Sequence, residues 1–158
     1  MNRNQKTKEK VCAFYASDYH FEMISLPYIE KNIEEEKEIV VLTENNLEDT
    51  MNTLIEKVNL KEDKKKKILD INWKNDDLNK FKKIKQNLDD NKNMIVFIKG
   101  QKNYIKNVNE NLEKWIEQKN IKIVDCYDIE EVSENMQNIT SDYESILNTR
   151  GEKKIEKT

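Results

Sequence analysis

Residues 10–21, KVCAFYASDYHF, decide the predicted fold. Residues 11–16 form an apolar run with the length and composition of a buried strand, and a polar turn and helix start follow at Ser17, Asp18 and His20. In an α/β domain such a turn lies at the carboxyl edge of a central strand, where open sheets bind ligands. We therefore expect the remaining elements to pack around this strand.

Four further runs predict strands at residues 38–42, 68–73, 94–98 and 121–124. The run MIVFI at 94–98 is the most continuously apolar in the chain, which is typical of a strand covered on both faces. Strands that alternate with helical segments predict an α/β fold of Rossmann-like or RecA-like type. It would have three layers, with helices on both faces of a five-stranded, mainly parallel sheet. We place strands 11–16 and 94–98 side by side at its centre.

Five helices are predicted from apolar residues at helical spacing. The first has Asp18 as its N-cap and Pro27 in its interior, and we expect it to be continuous but kinked and to end near Glu36. The last begins at the cap Asp128 and runs to the end of the folded part. The residues expected to face the core from the third, fourth and last helices are Leu78, Phe81, Ile84 and Leu88; Ile105, Val108, Leu112, Trp115 and Ile116; and Val132, Met136, Ile139, Tyr143 and Ile146.

The predicted domain organisation is simple. Residues 11–148 are expected to form a single α/β domain, because 158 residues suit one domain and no low-complexity linker interrupts the elements. Residues 1–10 and 149–158 lack apolar periodicity and are predicted to be flexible tails.

Charge and hydropathy restrict the partners. The formal net charge of -3 gives no general attraction to nucleic acid or to an anionic membrane. The basic run at residues 61–67 is expected to be a solvated loop or helix end, with a phosphate-binding patch as the alternative. No apolar run approaches the roughly 20 residues of a membrane span, and the N-terminal segment does not resemble a signal peptide. We therefore expect a cytoplasmic protein without nucleic-acid or membrane partners.

Several catalytic and cofactor motifs are missing from the sequence. Gly100 and Gly151 are the only glycines, so the chain lacks a glycine-rich loop whose amides could hold a phosphate. This argues against an NAD enzyme or a P-loop ATPase. His20 is the only histidine, which excludes a site of several histidines. Cys12 and Cys126 are predicted to be buried thiols, with a Cys126–His20 pair as the catalytic alternative. We expect neither a cofactor nor a metal.

A polar rim at the carboxyl ends of the strands is the candidate ligand-binding site. Its members are Ser17, Asp18, His20, Thr43, Glu44, Asn45, Lys99, Asp125 and Tyr127. If a ligand binds, we expect it over the carboxyl ends of strands 11–16 and 94–98, in contact with Ser17, His20 and Lys99. Free backbone amides at the start of the first helix, together with Lys99, would favour an anionic group there. The alternative is that these residues only cap helices, and in that case Asp18 would occupy the amides itself.

The first two units resemble a known sensory family. The similarity is carried by Phe14-Tyr15, Ser17-Asp18, His20, Leu26-Pro27-Tyr28-Ile29, Ile33 and the strand EIVVL at 38–42. This pattern, over residues 11–45, is similar to the MEDS (methanogen/methylotroph DcmR sensory) domain. The resemblance implies a RecA/KaiC-like α/β domain without a working phosphate loop. It also implies a sensory role of the kind usually attached to kinase or DNA-binding modules.

The expected function is therefore a non-enzymatic sensory or regulatory domain that binds a small ligand or a protein partner, which includes a second copy of the chain. Two alternatives stay open. One is a small Rossmann-like hydrolase or transferase that uses Asp18, His20 and the acids at the strand ends. The other is an interaction or structural subunit that associates through a helix face.

Overall fold

The computed structural model describes residues 9–115 and 121–156. Six strands and seven helices are found in this part of the chain. In chain order they are β1 (Glu9–Tyr15), α1 (Asp18–Glu34), β2 (Glu38–Thr43), α2 (Glu48–Lys57), α3 (Glu62–Leu69), α4 (Asp77–Asp89), β3 (Met94–Gly100), α5 (Lys102–Glu113), β4 (Ile121–Asp128), α6 (Ile129–Val132), α7 (Met136–Thr140), β5 (Ser145–Asn148) and β6 (Gly151–Lys154).

The six strands form one sheet in the order β2-β3-β4-β1-β5-β6. Every neighbouring pair is parallel except β5 and β6, which form an antiparallel hairpin. The structure therefore confirms the α/β class and the mainly parallel sheet, whereas the predicted number of five strands is wrong.

β3 is the buried central strand that its apolar run predicts. All seven of its residues are buried, and it pairs with β2 on one side and β4 on the other. The prediction that it lies beside β1 is wrong, because β4 separates the two strands. β4 extends over eight residues and pairs with β1 from Glu9–Lys122 to Tyr15–Asp128. Its second half carries Asp125 and Asp128, and these polar residues concealed its full length in the sequence.

The predicted strand at 68–73 is instead the end of α3 and the loop that follows it. Ile68 and Trp73 are both buried, and the Trp73 Nε1–H donates a hydrogen bond to the Ile68 carbonyl oxygen at 2.9 Å. The solvated basic run at 61–67 forms most of α3. The apolar residues Ile68 and Trp73 suggested a strand in the sequence. In the structure their hydrogen bond instead connects the last turn of α3 to the loop that follows it.

The predicted last helix and C-terminal tail are also wrong in part. α6, α7 and β5 replace a single helix over residues 128–148, and β6 lies inside the segment 149–158 that was expected to be flexible. A two-residue turn joins β5 to β6: the Asn148 Oδ1 accepts from the Arg150 N–H at 2.8 Å, and Gly151 adopts a φ of 113°. Gly151, the first residue of β6, directly follows the turn, and glycine adopts the positive φ that this position requires without steric cost. At the other end, β1 includes Glu9 and Lys10, while residues 1–8 and 157–158 of the predicted tails lie outside the described residues.

Alternation along the strands divides the core into two hydrophobic clusters, because successive side chains point to opposite faces of a sheet. Val11, Ala13 and Tyr15 of β1 belong to a cluster with α1, α2 and α3. Cys12 and Phe14 belong to a cluster with α4, α5 and α6. We call these two sides of the sheet the α1 face and the α5 face.

The helices that bound these clusters largely follow the predicted pattern. α1 runs without interruption through Pro27, as expected. Ile105, Val108 and Leu112 of α5 are buried as their spacing predicts, and the predicted core residue Ile116 lies outside the described residues. In α4, Leu78 is 77% exposed, so its predicted place in the core is wrong.

The contrast between Val96 and Leu78 tests the fold. Val96 is fully buried at the centre of β3, so Val96→Asp would place an unpaired charge in the dry core and should cost on the order of 5 kcal/mol, enough to unfold the chain. Leu78 lies in the first turn of α4, where an acid suits the helix dipole, and Leu78→Asp should change the free energy of unfolding by no more than about 0.5 kcal/mol. Urea denaturation followed by circular dichroism measures both variants. Equal losses in the two variants would contradict the fold.

Candidate functional site

The carboxyl ends of the strands bring several of the predicted site residues together. We define the strand-end cluster as Asp18, Thr43, Glu44, Asn45 and Lys99. The Lys99 Nζ lies 2.9 Å from the Asp18 Oδ1 and donates a hydrogen bond to the Asn45 Oδ1 at 2.9 Å. The Asn45 side-chain amide donates to the Asp18 Oδ2 at 3.0 Å, and the Thr43 hydroxyl donates to the Asn45 backbone carbonyl oxygen at 2.8 Å. The cluster therefore links the ends of β1, β2 and β3.

Lys99 is the buried charged member of this cluster. It follows Ile95 and Phe97 by alternation along β3, so its side chain enters the α1 face. Its Nζ lies 4.6 Å from the centre of the Tyr15 ring and 5.6 Å from that of Phe21, which are cation–π distances. The Lys99 side chain is 3% exposed, whereas the Asp18 side chain is 38% exposed. The pair therefore neutralises a buried cation with a carboxylate at the surface.

The helix starts next to this cluster are already capped. Ser17, and not the predicted Asp18, is the N-cap of α1, and its hydroxyl accepts from the His20 N–H at 3.1 Å. The His20 Nδ1 accepts from the Ala16 N–H at 2.8 Å. At α5, the Glu44 carboxylate accepts from the Gln101 N–H at 2.9 Å.

The next amide of α5, that of Lys102, donates to the Glu131 carboxylate at 2.8 Å. Carboxylates of the chain therefore hold two backbone amides at the start of α5. The amides that the anion prediction assigned to a ligand lie at the start of α1, where the Ser17 hydroxyl already accepts from the His20 N–H. A Cβ at Gly100 would lie 2.7 Å from the Glu44 Oε1 and 2.6 Å from a Tyr104 ring carbon. This glycine therefore permits close packing of a carboxylate against the start of the helix, and the local geometry disfavours a bound anion.

Asp125 and Tyr127 do not belong to the strand-end cluster. Asp125 lies inside β4, opposite Cys12 of β1 and Ile98 of β3, and its side chain enters the α5 face together with Tyr127. The prediction that these two residues belong to the same rim as Ser17 and Lys99 is therefore wrong. The strand continues four residues beyond the predicted end at Val124, and this extension buries Asp125.

Asp125 is the centre of a second set of contacts, the Asp125 network, which comprises Lys10, Asn109, Asp125, Tyr127 and Tyr143. Asp125 is 1% exposed. Its Oδ2 accepts from the Lys10 Nζ at 2.9 Å and from the Tyr143 hydroxyl at 2.6 Å, and the Asn109 amide lies 3.1 Å from its Oδ1. The Lys10 Nζ also donates to the Asn109 Oδ1 at 2.7 Å.

A chain of phenol groups continues the network. The Tyr127 and Tyr143 hydroxyl oxygens lie 2.6 Å apart. Because Tyr143 uses its only hydroxyl proton on Asp125, Tyr127 must be the donor of this bond. Burial is the main reason that the pKa of Tyr127 is raised to about 12. The pKa of Tyr143 is raised further, first by burial and then by the negative charge of Asp125. Both phenols are therefore neutral donors at physiological pH.

A groove of about 940 Å³ lies above this network, between α5 and the connection that carries α7. We call it the Asp125 groove. Members of the network form its floor, and Lys106 of α5 and Asn138 of α7 are exposed residues on its walls. Its volume is at the upper end of the range of about 300–1,000 Å³ that is usual for small-ligand sites.

A shallower depression of about 450 Å³ lies at the strand-end cluster and is lined by Ser17, Asp18, Lys99 and Asp128 among others. The chain leaves the adjacent strands β1 and β4 here for opposite faces of the sheet, which is the topological position where α/β folds bind ligands. His20 does not line the depression.

The two cysteines are poor nucleophiles. Burial raises the pKa of Cys12 to about 12 and that of the fully buried Cys126 well above its usual value. Neutral, buried thiols are unreactive, so a Cys126–His20 catalytic pair has no support. Within residues 9–115 and 121–156, no three His, Cys, Asp or Glu side chains are grouped so that they could hold a metal ion. In the same ranges, no helix is both long enough and apolar enough to cross a membrane.

Sequence reasoning missed other buried polar groups. Lys80 of α4 is buried and donates to the Val41 and Lys74 carbonyl oxygens, and burial lowers its pKa to about 8. It thereby covers part of the free edge of β2. Glu22 of α1 is buried between α1 and α2. The burial of Lys80 and Glu22 could not be predicted from the sequence, because both lie in amphipathic helices. A charged residue beside the apolar stripe of such a helix is normally expected to face solvent.

Comparison with known proteins gives no identification: no family model, curated protein or solved structure matches the chain.

The asymmetry of the Lys99–Asp18 pair leads to a stability prediction. Asp18→Asn would leave the buried Lys99 cation without its hydrogen-bonded carboxylate and should cost roughly 3 kcal/mol. Lys99→Met keeps an apolar stem over Tyr15 and lets Asp18 turn to water, so the loss should be about 1 kcal/mol. The matched control is Asp49→Asn, which removes an acid from the first turn of α2 and should cost less than about 1 kcal/mol.

Urea denaturation at low and high salt measures these losses. An Asp18→Asn variant no less stable than the Asp49→Asn control would show that the pair does not stabilise the strand-end cluster.

Proposed function

We propose that this chain is a non-enzymatic sensory or regulatory domain that binds a small ligand in the Asp125 groove. In this proposal the domain resembles the MEDS family and has the three-layer, Rossmann-like or RecA-like arrangement. The supporting observation is a groove of ligand size with a buried carboxylate, two phenols and a lysine at its floor.

The Asp125 network supports binding because its members are held in place before any ligand arrives. Lys10 is fixed by both Asp125 and Asn109, and Tyr143 by both Asp125 and Tyr127. Side chains with fixed positions lose little conformational entropy when a ligand binds, and this favours affinity. The walls add exposed amides and charges that could contact a polar ligand, among them Asn138 and Lys106.

The strand-end cluster is the weaker candidate for the same role. Its cation is paired with Asp18, and two of the amides at the start of α5 are held by carboxylates of the chain. A ligand there would first have to displace these contacts. The enzyme alternative, which relies on Asp18, His20 and the acids at the strand ends, has less support, because the His20 Nδ1 accepts from the Ala16 N–H and Asp18 is paired with Lys99.

A thermal-shift screen with metabolites and nucleotides tests the proposal, because a ligand that binds only the folded state raises the melting temperature. We expect at least one stabilising compound, and we expect its amide chemical-shift changes to map to α5 and α7. Lys106→Ala and Asn138→Ala remove exposed wall residues and should lower the ligand-induced shift without changing the melting temperature of the free protein.

Lys85→Ala is the matched control, since Lys85 is an exposed helix lysine that does not line the groove. It should leave the ligand-induced shift unchanged. A screen without any stabilising compound would reject small-ligand binding. A ligand whose effects surround Lys99, or survive both wall variants, would move the site away from the Asp125 groove.

A further inference from the structure

We propose that the groove between α1 and α2 is a second binding site, which takes a small primary ammonium compound with Glu22 as its anchor. The groove has a volume of about 350 Å³ and is lined by Tyr19, Glu22, Asp49, Thr50, Thr53, Leu54 and Lys57. It lies on the α1 face, whereas the Asp125 groove lies on the α5 face. The inference therefore stands independently of the proposed function.

Glu22 is the unusual feature of this groove. The residue is 2% exposed, and its Oε2 is buried without a hydrogen-bond partner in the part of the chain that the structure describes. Buried polar side-chain atoms in folded proteins almost always have a partner, so an exception needs an explanation. A ligand that donates to this oxygen supplies one.

The charges around Glu22 do not satisfy it from within the chain. Lys99 of β3 and Asp18 of α1 act on it only through their electric fields, because the Lys99 ammonium is bonded to Asp18 and Asn45. Thr50 of α2 lies near the carboxyl group and favours its charged form, but its hydroxyl donates its only proton to the Leu47 carbonyl oxygen at 3.1 Å. Burial acts in the opposite sense and is the largest influence, which raises the pKa of Glu22.

The chemistry of the groove selects an ammonium group on an apolar body. An ionised carboxylate only accepts hydrogen bonds, and an ammonium group only donates them. Asp49 adds a second negative charge at the N-terminal end of α2, and Tyr19 and Leu54 offer carbon surface to an alkyl chain. Lys57 lies two turns further along α2, about 12 Å from Asp49, and its charge disfavours a second cationic group at that end.

The test uses n-butylammonium as the probe and records backbone amide shifts of the whole protein by NMR. We expect saturable shifts at Tyr19, Thr50 and Thr53. n-Butanol has the same apolar body without the charge, and tetramethylammonium has the charge without an N–H donor. Both should bind about tenfold more weakly or worse, because a hydrogen bond to a charged group contributes at least this factor.

Two variants separate Glu22 from the rest of the groove. Glu22→Gln keeps the shape and should weaken n-butylammonium binding by about tenfold or more. Thr53→Phe leaves Glu22 intact but fills the groove from an exposed position, and it should abolish the shifts. Glu56→Gln, which removes an exposed acid of α2 outside the groove, should bind the probe as the unchanged protein does.

The proposal fails if n-butylammonium causes no saturable shift at tens of millimolar. It also fails if n-butanol binds as well as the ammonium, or if Glu22→Gln binds it with unchanged affinity. None of these results depends on the Asp125 groove, so a failure here leaves the proposed function untouched.

Discussion

The Asp125 carboxylate is a buried charge whose hydrogen bonds join parts of the chain that are far apart in the sequence. A carboxylate in the interior is tolerated only when donors surround it, because its transfer from water is otherwise very costly. Its donors come from β1, from α5 and from the segment before β5: Lys10, Asn109 and Tyr143. These hydrogen bonds therefore hold β4, which carries Asp125, against β1, α5 and the segment before β5. The same contacts form the floor of the Asp125 groove.

The fold could be predicted where burial leaves a simple pattern. The runs at 11–16, 38–42 and 94–98 are strands because they are covered on both sides, and a continuous apolar run records this directly. The second half of β4 could not be recognised in the sequence, because it contains a charged residue, Asp125. The residues that stabilise Asp125 in the core lie 16 to 115 positions away in the chain, so no local pattern reveals them. The predicted strand order is also wrong: runs 11–16 and 94–98 were expected side by side, whereas β4 lies between them and pairs with both.

The candidate site was predictable only in part. Topology correctly brought Asp18 and Lys99 together, because the ends of parallel strands meet at one edge of a sheet. It could not show that their charges neutralise each other, nor that Glu44 reaches the start of α5. Tyr143 was expected on a helix facing the core, and its burial is correct, but its bond to Asp125 depends on a loop that no periodicity reveals.

The most direct test of this account is a double-mutant cycle between Asp125→Asn and Tyr143→Phe, with the free energy of unfolding measured in urea. If the buried carboxylate organises its surroundings, the two residues should be coupled by about 1–3 kcal/mol, since each loses its partner when the other is replaced. If the losses of unfolding free energy in the two single variants add up to that of the double variant within about 0.5 kcal/mol, Asp125 does not organise its surroundings, because such additivity is typical of independent residues.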